Sequence, residues 1–80
     1  MDAAALRALI REVPDFPKPG INFYDVTTLL RDAAALRAAV AAMAAPFGGL
    51  GVDLVAGIES RGFILAAPIA VQLGCGFVPI

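Results

Sequence analysis

Val52-Asp53-Leu54-Val55-Ala56-Gly57-Ile58-Glu59-Ser60-Arg61-Gly62 joins a short apolar run to a polar turn. A near-continuous apolar run of this length is the pattern of a strand buried on both faces, as in parallel sheets. The residues after it read as a helix from about Gly62 to Leu73, with Gly74 as its C′ stop. Pro68 inside that stretch should kink or split the helix. Phe77-Val78-Pro79-Ile80 then reads as the start of another buried strand. Strand, polar turn, helix, strand is one βαβ unit, expected to be right-handed. The fold class is α/β with a parallel sheet.

The turn carries the first candidate chemistry. In open α/β sheets ligands sit in the crevice beyond the carboxyl ends of the strands. The N–H groups of Ser60, Arg61 and Gly62 would open the helix and face an anion. Ser60 adds a hydroxyl donor, and Arg61 can make bidentate contacts to phosphate oxygens. Gly62 allows close backbone approach. Glu59 could bind the arginine, a sugar hydroxyl or a magnesium-bound water. The same residues also suit a capped turn with a surface Glu-Arg pair, and geometry alone leaves both readings open.

Upstream, Asp32 caps an alanine-rich helix running from Ala33 to about Ala45. Leu36, Val40, Met43 and Phe47 are expected on one face. Pro46 and Gly48-Gly49 stop it, and Gly51 keeps the linker loose. At the start of the chain, Asp2 caps a first helix with Leu6, Leu9, Ile10 and Val13 on its apolar face, ended by Pro14. Pro14, Pro17, Pro19 and Gly20 form a stiff connector. Ile21 to Val26 alternates as a short strand, and Thr27-Thr28 opens a helical turn carrying Leu29 and Leu30.

Composition narrows the possibilities. The 80 residues allow one small domain, yet 60% are hydrophobic and 16% charged. Globular chains average about 45–50% apolar and about 25% charged, and a small domain should be the more polar. The expectation is a truncated domain, reinforced by Ile80 lying inside an apolar strand. Six basic and seven acidic residues give a net charge of −1, which argues against nucleic-acid binding. Cys75 is the one cysteine and reads as a small buried hydrophobe in a reducing compartment. Histidine is absent, which removes histidine bases and ligands. Gly62 to Ile80 carries no charge, but Pro68, Gln72, Gly74-Cys75-Gly76 and Pro79 break it, so a membrane span is rejected. Met1-Asp2 does not open a secretory signal.

Phe16-Pro17-Lys18-Pro19-Gly20-Ile21-Asn22-Phe23-Tyr24-Asp25 is the second candidate. Extended backbone flanked by aromatic rings could read the edge and face of a flat heteroaromatic base. On these residues alone a hydrophobic arm packed on its own domain is the simpler reading.

In order and spacing these stretches resemble the adenine phosphoribosyltransferases. Ile10-Arg11-Glu12-Val13-Pro14-Asp15-Phe16-Pro17-Lys18-Pro19-Gly20-Ile21 and Phe23 to Leu30 are similar to that family's opening. Val55 to Phe63 is similar to its internal loop, and Gly76 to Ile80 to the strand that follows. The resemblance implies an incomplete phosphoribosyltransferase-type, Rossmann-like domain over 1–80. Residues 1–31 would be the N-terminal helix and base-binding arm, and 32–80 the start of the α/β core. It implies transfer of phosphoribosyl from phosphoribosyl pyrophosphate to adenine, giving AMP and pyrophosphate, with magnesium bound alongside the phosphoribosyl donor.

By that resemblance Ile21, Asn22, Phe23 and Tyr24 frame adenine, and Glu59, Ser60, Arg61 and Gly62 hold pyrophosphate across a peptide expected cis between Glu59 and Ser60. Tyr24 stands where relatives often carry arginine, so it brings no charge to that place. No catalytic residue is assigned within the chain, because the family's ribose-phosphate loop and catalytic lid lie further on. A cytoplasmic homodimer is implied for the full-length protein, with no nucleic-acid or membrane partner. The fragment alone is expected to be inactive. The alternative is a non-catalytic remnant acting as an interaction or regulatory module. A different nucleotide-binding domain is discounted, because neither a Gly-x-Gly-x-x-Gly nor a Walker-type loop is present.

Overall fold

The computed structural model describes residues 1–80. The chain divides into two compact units, Met1–Ala39 and Val40–Ile80.

In the first unit, α1 (Ala3–Ala8) is capped by Asp2, whose Oδ1 accepts from the Ala5 N–H at 2.9 Å. The expected long first helix is cut short here. Arg11–Val13 is instead strand β1, antiparallel to β2 (Phe23–Asp25), with Val13 opposite Phe23 and Glu12 opposite Tyr24. The proline explains part of this, since the residue before a proline is pushed out of the helical region into extended backbone. Cross-strand pairing supplies the rest. The connector folds back tightly, with Asp15 Oδ1 accepting from the Gly20 N–H at 2.8 Å and Gly20 at φ 86°. The Phe16-Pro17 peptide is cis. Asp25 Oδ1 accepts from both the N–H (2.9 Å) and the hydroxyl (2.7 Å) of Thr27, which opens α2 (Thr27–Leu30). The Thr28 hydroxyl donates to the Leu9 carbonyl. Leu29 is buried.

Helix α3 (Ala33–Ala44) spans the division between the units and starts on Asp32, whose Oδ1 accepts from the Ala35 N–H at 2.9 Å. The expected face of Leu36, Val40, Met43 and Phe47 is buried only in part. Ala35, Val40 and Ala44 are buried, and Met43 and Phe47 are about half exposed. A 3₁₀ turn at Ala45–Phe47, carrying Pro46, takes Phe47 off the helical register.

In the second unit, β3 (Leu54–Gly57) and β4 (Gly76–Pro79) pair in parallel, with Val55 opposite Phe77 and Gly57 opposite Pro79. Between them runs α4 (Arg61–Leu73), which packs on both strands through the buried Ala66, Ile69 and Ala70. The βαβ unit is as expected. Pro68 does not split α4. Its missing N–H orphans the Ile64 carbonyl, and Ile64 lies on the exposed side of the helix at 48%. Gly74 closes the helix at φ 76°. The strand expected to be buried on both faces is not. Helix α4 covers one side, while Leu54 is 60% and Ile58 67% exposed. An open apolar cleft of about 530 Å³, lined by Met43, Phe47, Leu54, Val55, Leu65 and Ile69 among others, runs beside the strand. No helix is long and apolar enough to cross a membrane.

Candidate functional site

Two groups of residues stand out, one in each unit. The first is the hairpin β1–β2. Alternation along β2 places Phe23 on one face and Tyr24 on the other. Phe23 meets Phe16 edge to face, ring centres 5.4 Å apart, beside a recess of about 270 Å³ that also takes in Val13 and Thr27. Arg11 and Asp25 form an ion pair on that side at 3.6 Å. Hydrogen bonds from the Thr27 hydroxyl and N–H hold the Asp25 carboxyl below its ordinary value near 3.8, with a smaller contribution from Arg11.

The opposite face carries Glu12, Asn22 and Tyr24. The Asn22 amide nitrogen donates to Glu12 Oε1 at 2.6 Å and lies 3.3 Å from the Tyr24 hydroxyl. A second recess, of about 440 Å³, opens here between Arg7, Ile10, Glu12, Tyr24 and Val26. The four expected base-arm residues therefore do not converge as side chains. Phe23 offers a ring on one side, and Asn22 and Tyr24 point to the other. Ile21 is exposed, and its carbonyl accepts from the Phe16 N–H at 2.9 Å. The backbone of Asn22 stays free, since no main-chain hydrogen bond of the chain takes up its N–H or C=O. Pro14, next along β1, has no N–H to offer it. A donor and an acceptor side by side are what the edge of a heteroaromatic base requires.

The second group is the β3–α4 turn. The peptide between Glu59 and Ser60 is cis, as expected. Ser60 is the N-cap of α4, but its side chain caps nothing. The first N–H groups of that 13-residue helix therefore remain available. Glu59 and Arg61 are exposed and form no ion pair with each other. The turn is thus not closed on itself by a cap and a salt bridge. Backbone donors at a helix start, a free hydroxyl and a free guanidinium suit an anion.

Sequence reasoning gave the close-approach role to Gly62. The tighter demand is at Gly57, where an added Cβ would lie 2.7 Å from Ala66 Cβ, 2.9 Å from the Phe77 ring and 3.0 Å from the Gly62 carbonyl oxygen. At Gly62 the same test finds ordinary contacts of 3.6 Å and more. A glycine inside a strand marks close backbone approach, and that signal was present at Gly57. No cluster of three or more Asp, Glu, His or Cys side chains could hold a metal ion.

The fold, a parallel βαβ unit with an open turn at the strand's carboxyl end, matches the N-terminal part of type I phosphoribosyltransferases. No protein-family profile matches the chain. Its curated relatives include the adenine phosphoribosyltransferases of Methylobacillus flagellatus, 56% identical over 75 residues, and Neorhizobium galegae, 60% identical over 75 residues. Each match covers 94% of this chain, and 43% and 41% of the respective relative. Among solved structures, the adenine phosphoribosyltransferase of Thermoanaerobacter pseudethanolicus superposes with a TM-score of 0.90 at 45% identity, over 98% of this chain and 46% of that one. The Giardia lamblia enzyme, solved with 9-deazaadenine, gives 0.89 at 44% identity, over 99% and 44%. The chain is thus similar along nearly all its length to the N-terminal part of adenine phosphoribosyltransferases, and it spans less than half the length of those relatives.

Proposed function

We propose that the chain supplies the base-reading and diphosphate-holding parts of an adenine phosphoribosyltransferase. That enzyme moves phosphoribosyl from phosphoribosyl pyrophosphate to adenine, giving AMP and pyrophosphate in purine salvage. The observation that carries the reading is the open β3–α4 turn, with its uncapped helix start and unpaired Arg61, in a chain 56% identical over 75 residues to the Methylobacillus enzyme.

In this reading the Asn22 N–H and C=O address the edge of adenine, and the Phe23 ring addresses its face. Ser60, Arg61, Gly62 and the start of α4 take the diphosphate. As the C–O bond to the anomeric carbon breaks, charge develops on the leaving diphosphate, and Arg61 stabilises it. Magnesium bound with the phosphoribosyl donor would supply further charge neutralisation there. With no carboxylate cluster present, this chain adds at most a Glu59 oxygen, directly or through water. The proposed setting is the cytoplasm, with the full-length protein a homodimer and no nucleic-acid or membrane partner.

The test is AMP formation from adenine and phosphoribosyl pyrophosphate by the intact gene product, with magnesium. Activity that falls about 100-fold or more in Arg61→Ala supports the reading, by analogy with loss of one stabilising donor. An intact product that forms no AMP refutes it. The 80 residues assayed alone are expected to form none. A second reading, a non-catalytic interaction module, draws on the exposed Leu54, Ile58 and Val71. A defined complex in a concentration-dependent mass measurement would favour it.

A further inference from the structure

We infer that Glu12 is a positioning residue for base recognition, acting through the side chain of Asn22; this rests on the proposed role of the 21–23 segment. Glu12 lies on β1, directly across from Tyr24, and its Oε1 accepts from the Asn22 amide at 2.6 Å. A carboxylate accepts only, so the amide must present its nitrogen to Glu12. The Tyr24 hydroxyl, 3.3 Å from the same nitrogen, lies where it accepts the second amide hydrogen. Both amide donors are then committed on the face away from Phe23.

Asn22 lies one residue beyond the β ladder, so pairing does not hold its backbone. The opposing residue there is Pro14, which has no N–H. The side-chain latch therefore replaces the missing ladder bond. It sets the rotation of the Asn22 peptide groups, whose N–H and C=O are the free donor and acceptor offered to the base. The bond is charge-assisted and short, which makes it the strongest polar contact of the hairpin's outer face. Glu12 touches no substrate; it limits how far the base-reading backbone can turn.

The experiment is steady-state kinetics on the intact gene product, with adenine and phosphoribosyl pyrophosphate varied separately. Glu12→Ala should raise the KM for adenine about 5-fold, the size of one net hydrogen bond. Both kcat and the KM for phosphoribosyl pyrophosphate should stay within about 2-fold, the spread of distant surface changes. Glu12→Gln keeps an acceptor oxygen and should restore most of the adenine KM. Asn22→Ala should match Glu12→Ala, and the double variant should be no worse than either single, because both remove one latch. An unchanged adenine KM in an active Glu12→Ala protein overturns the inference, as does an equal rise in both KM values. If the unmutated protein makes no AMP, the reading of the arm fails first, and the latch with it.

Discussion

A single hydrogen atom decides the packing of β3 on α4. Gly57 has no room for a Cβ, because a methyl there would press on Ala66 Cβ at 2.7 Å, and neither atom sits on a flexible side chain. Gly57→Ala should therefore destabilise the βαβ unit by about 1–3 kcal/mol, as overpacking does. Gly62→Ala, with ordinary contacts, should cost less. Urea denaturation of the two variants checks the order, and an equal effect would show that the strand relaxes around the methyl. On the hairpin, Thr27 sets the charge state of Asp25 through its hydroxyl and N–H. A carboxyl lowered in the folded state adds stability that is present above its unfolded value near 3.8 and is lost as pH falls through the lower folded value. Thr27→Val removes the hydroxyl and keeps the N–H, so the Asp25 titration should move up toward 3.8, read by carbon-detected NMR. The stability that Asp25 contributes above that pH, and its loss on acidification, should shrink with it.

Among the elements, the two helix caps separate local from global stability. Asp2 and Asp32 make the same bond to the third residue of their helices. Helix α1 buries nothing, whereas α3 carries the buried Ala35, Val40 and Ala44. Asp32→Ala should cost about 1 kcal/mol of global stability, the usual loss of a cap. Asp2→Ala should only fray α1, a difference that hydrogen exchange can resolve. The elements also show what was legible. The βαβ unit could be read from the chain because an apolar run, a polar turn and a Gly74 stop are local signals. Helix α1 was read too long because Leu9, Ile10 and Val13 keep helical spacing while Arg11–Val13 pairs with residues 10 to 14 positions away. Spacing cannot register a partner strand, although Pro14 already forbade helix at Val13. The α3 face is only partly legible for a related reason, since large residues attract attention, but Ala35 and Ala44 are buried beside Val40. At the candidate site, the anion turn was legible because its chemistry is contiguous. The latch was not, because Glu12 reaches Asn22 only through the fold, and the face on which Asn22 sits depends on a register the pattern did not reveal.

For the molecule as a whole, apolar surface is the dominant quantity. A chain that is 60% hydrophobic leaves Leu54, Ile58, Val71 and Ile80 more than half exposed, and Leu54 and Ile58 line an open apolar cleft of about 530 Å³. Monomeric proteins rarely leave contiguous apolar patches larger than a few hundred Å² uncovered. Net charge of −1 offers little repulsion to keep copies apart. The 80 residues studied alone should therefore self-associate as concentration rises, with the apparent mass in sedimentation velocity climbing rather than settling at one stoichiometry. A charge placed on the uncovered side tests whether that surface is responsible. Leu54→Lys is suited to this, since Leu54 is 60% exposed and makes no polar contact that the change would break. Association should weaken and binding of a hydrophobic dye should fall, while parallel β3–β4 pairing survives in hydrogen exchange. A plateau at a fixed dimer mass that Leu54→Lys leaves untouched would place the contact elsewhere, and would favour a module with its own defined interface over an α/β layer waiting for cover.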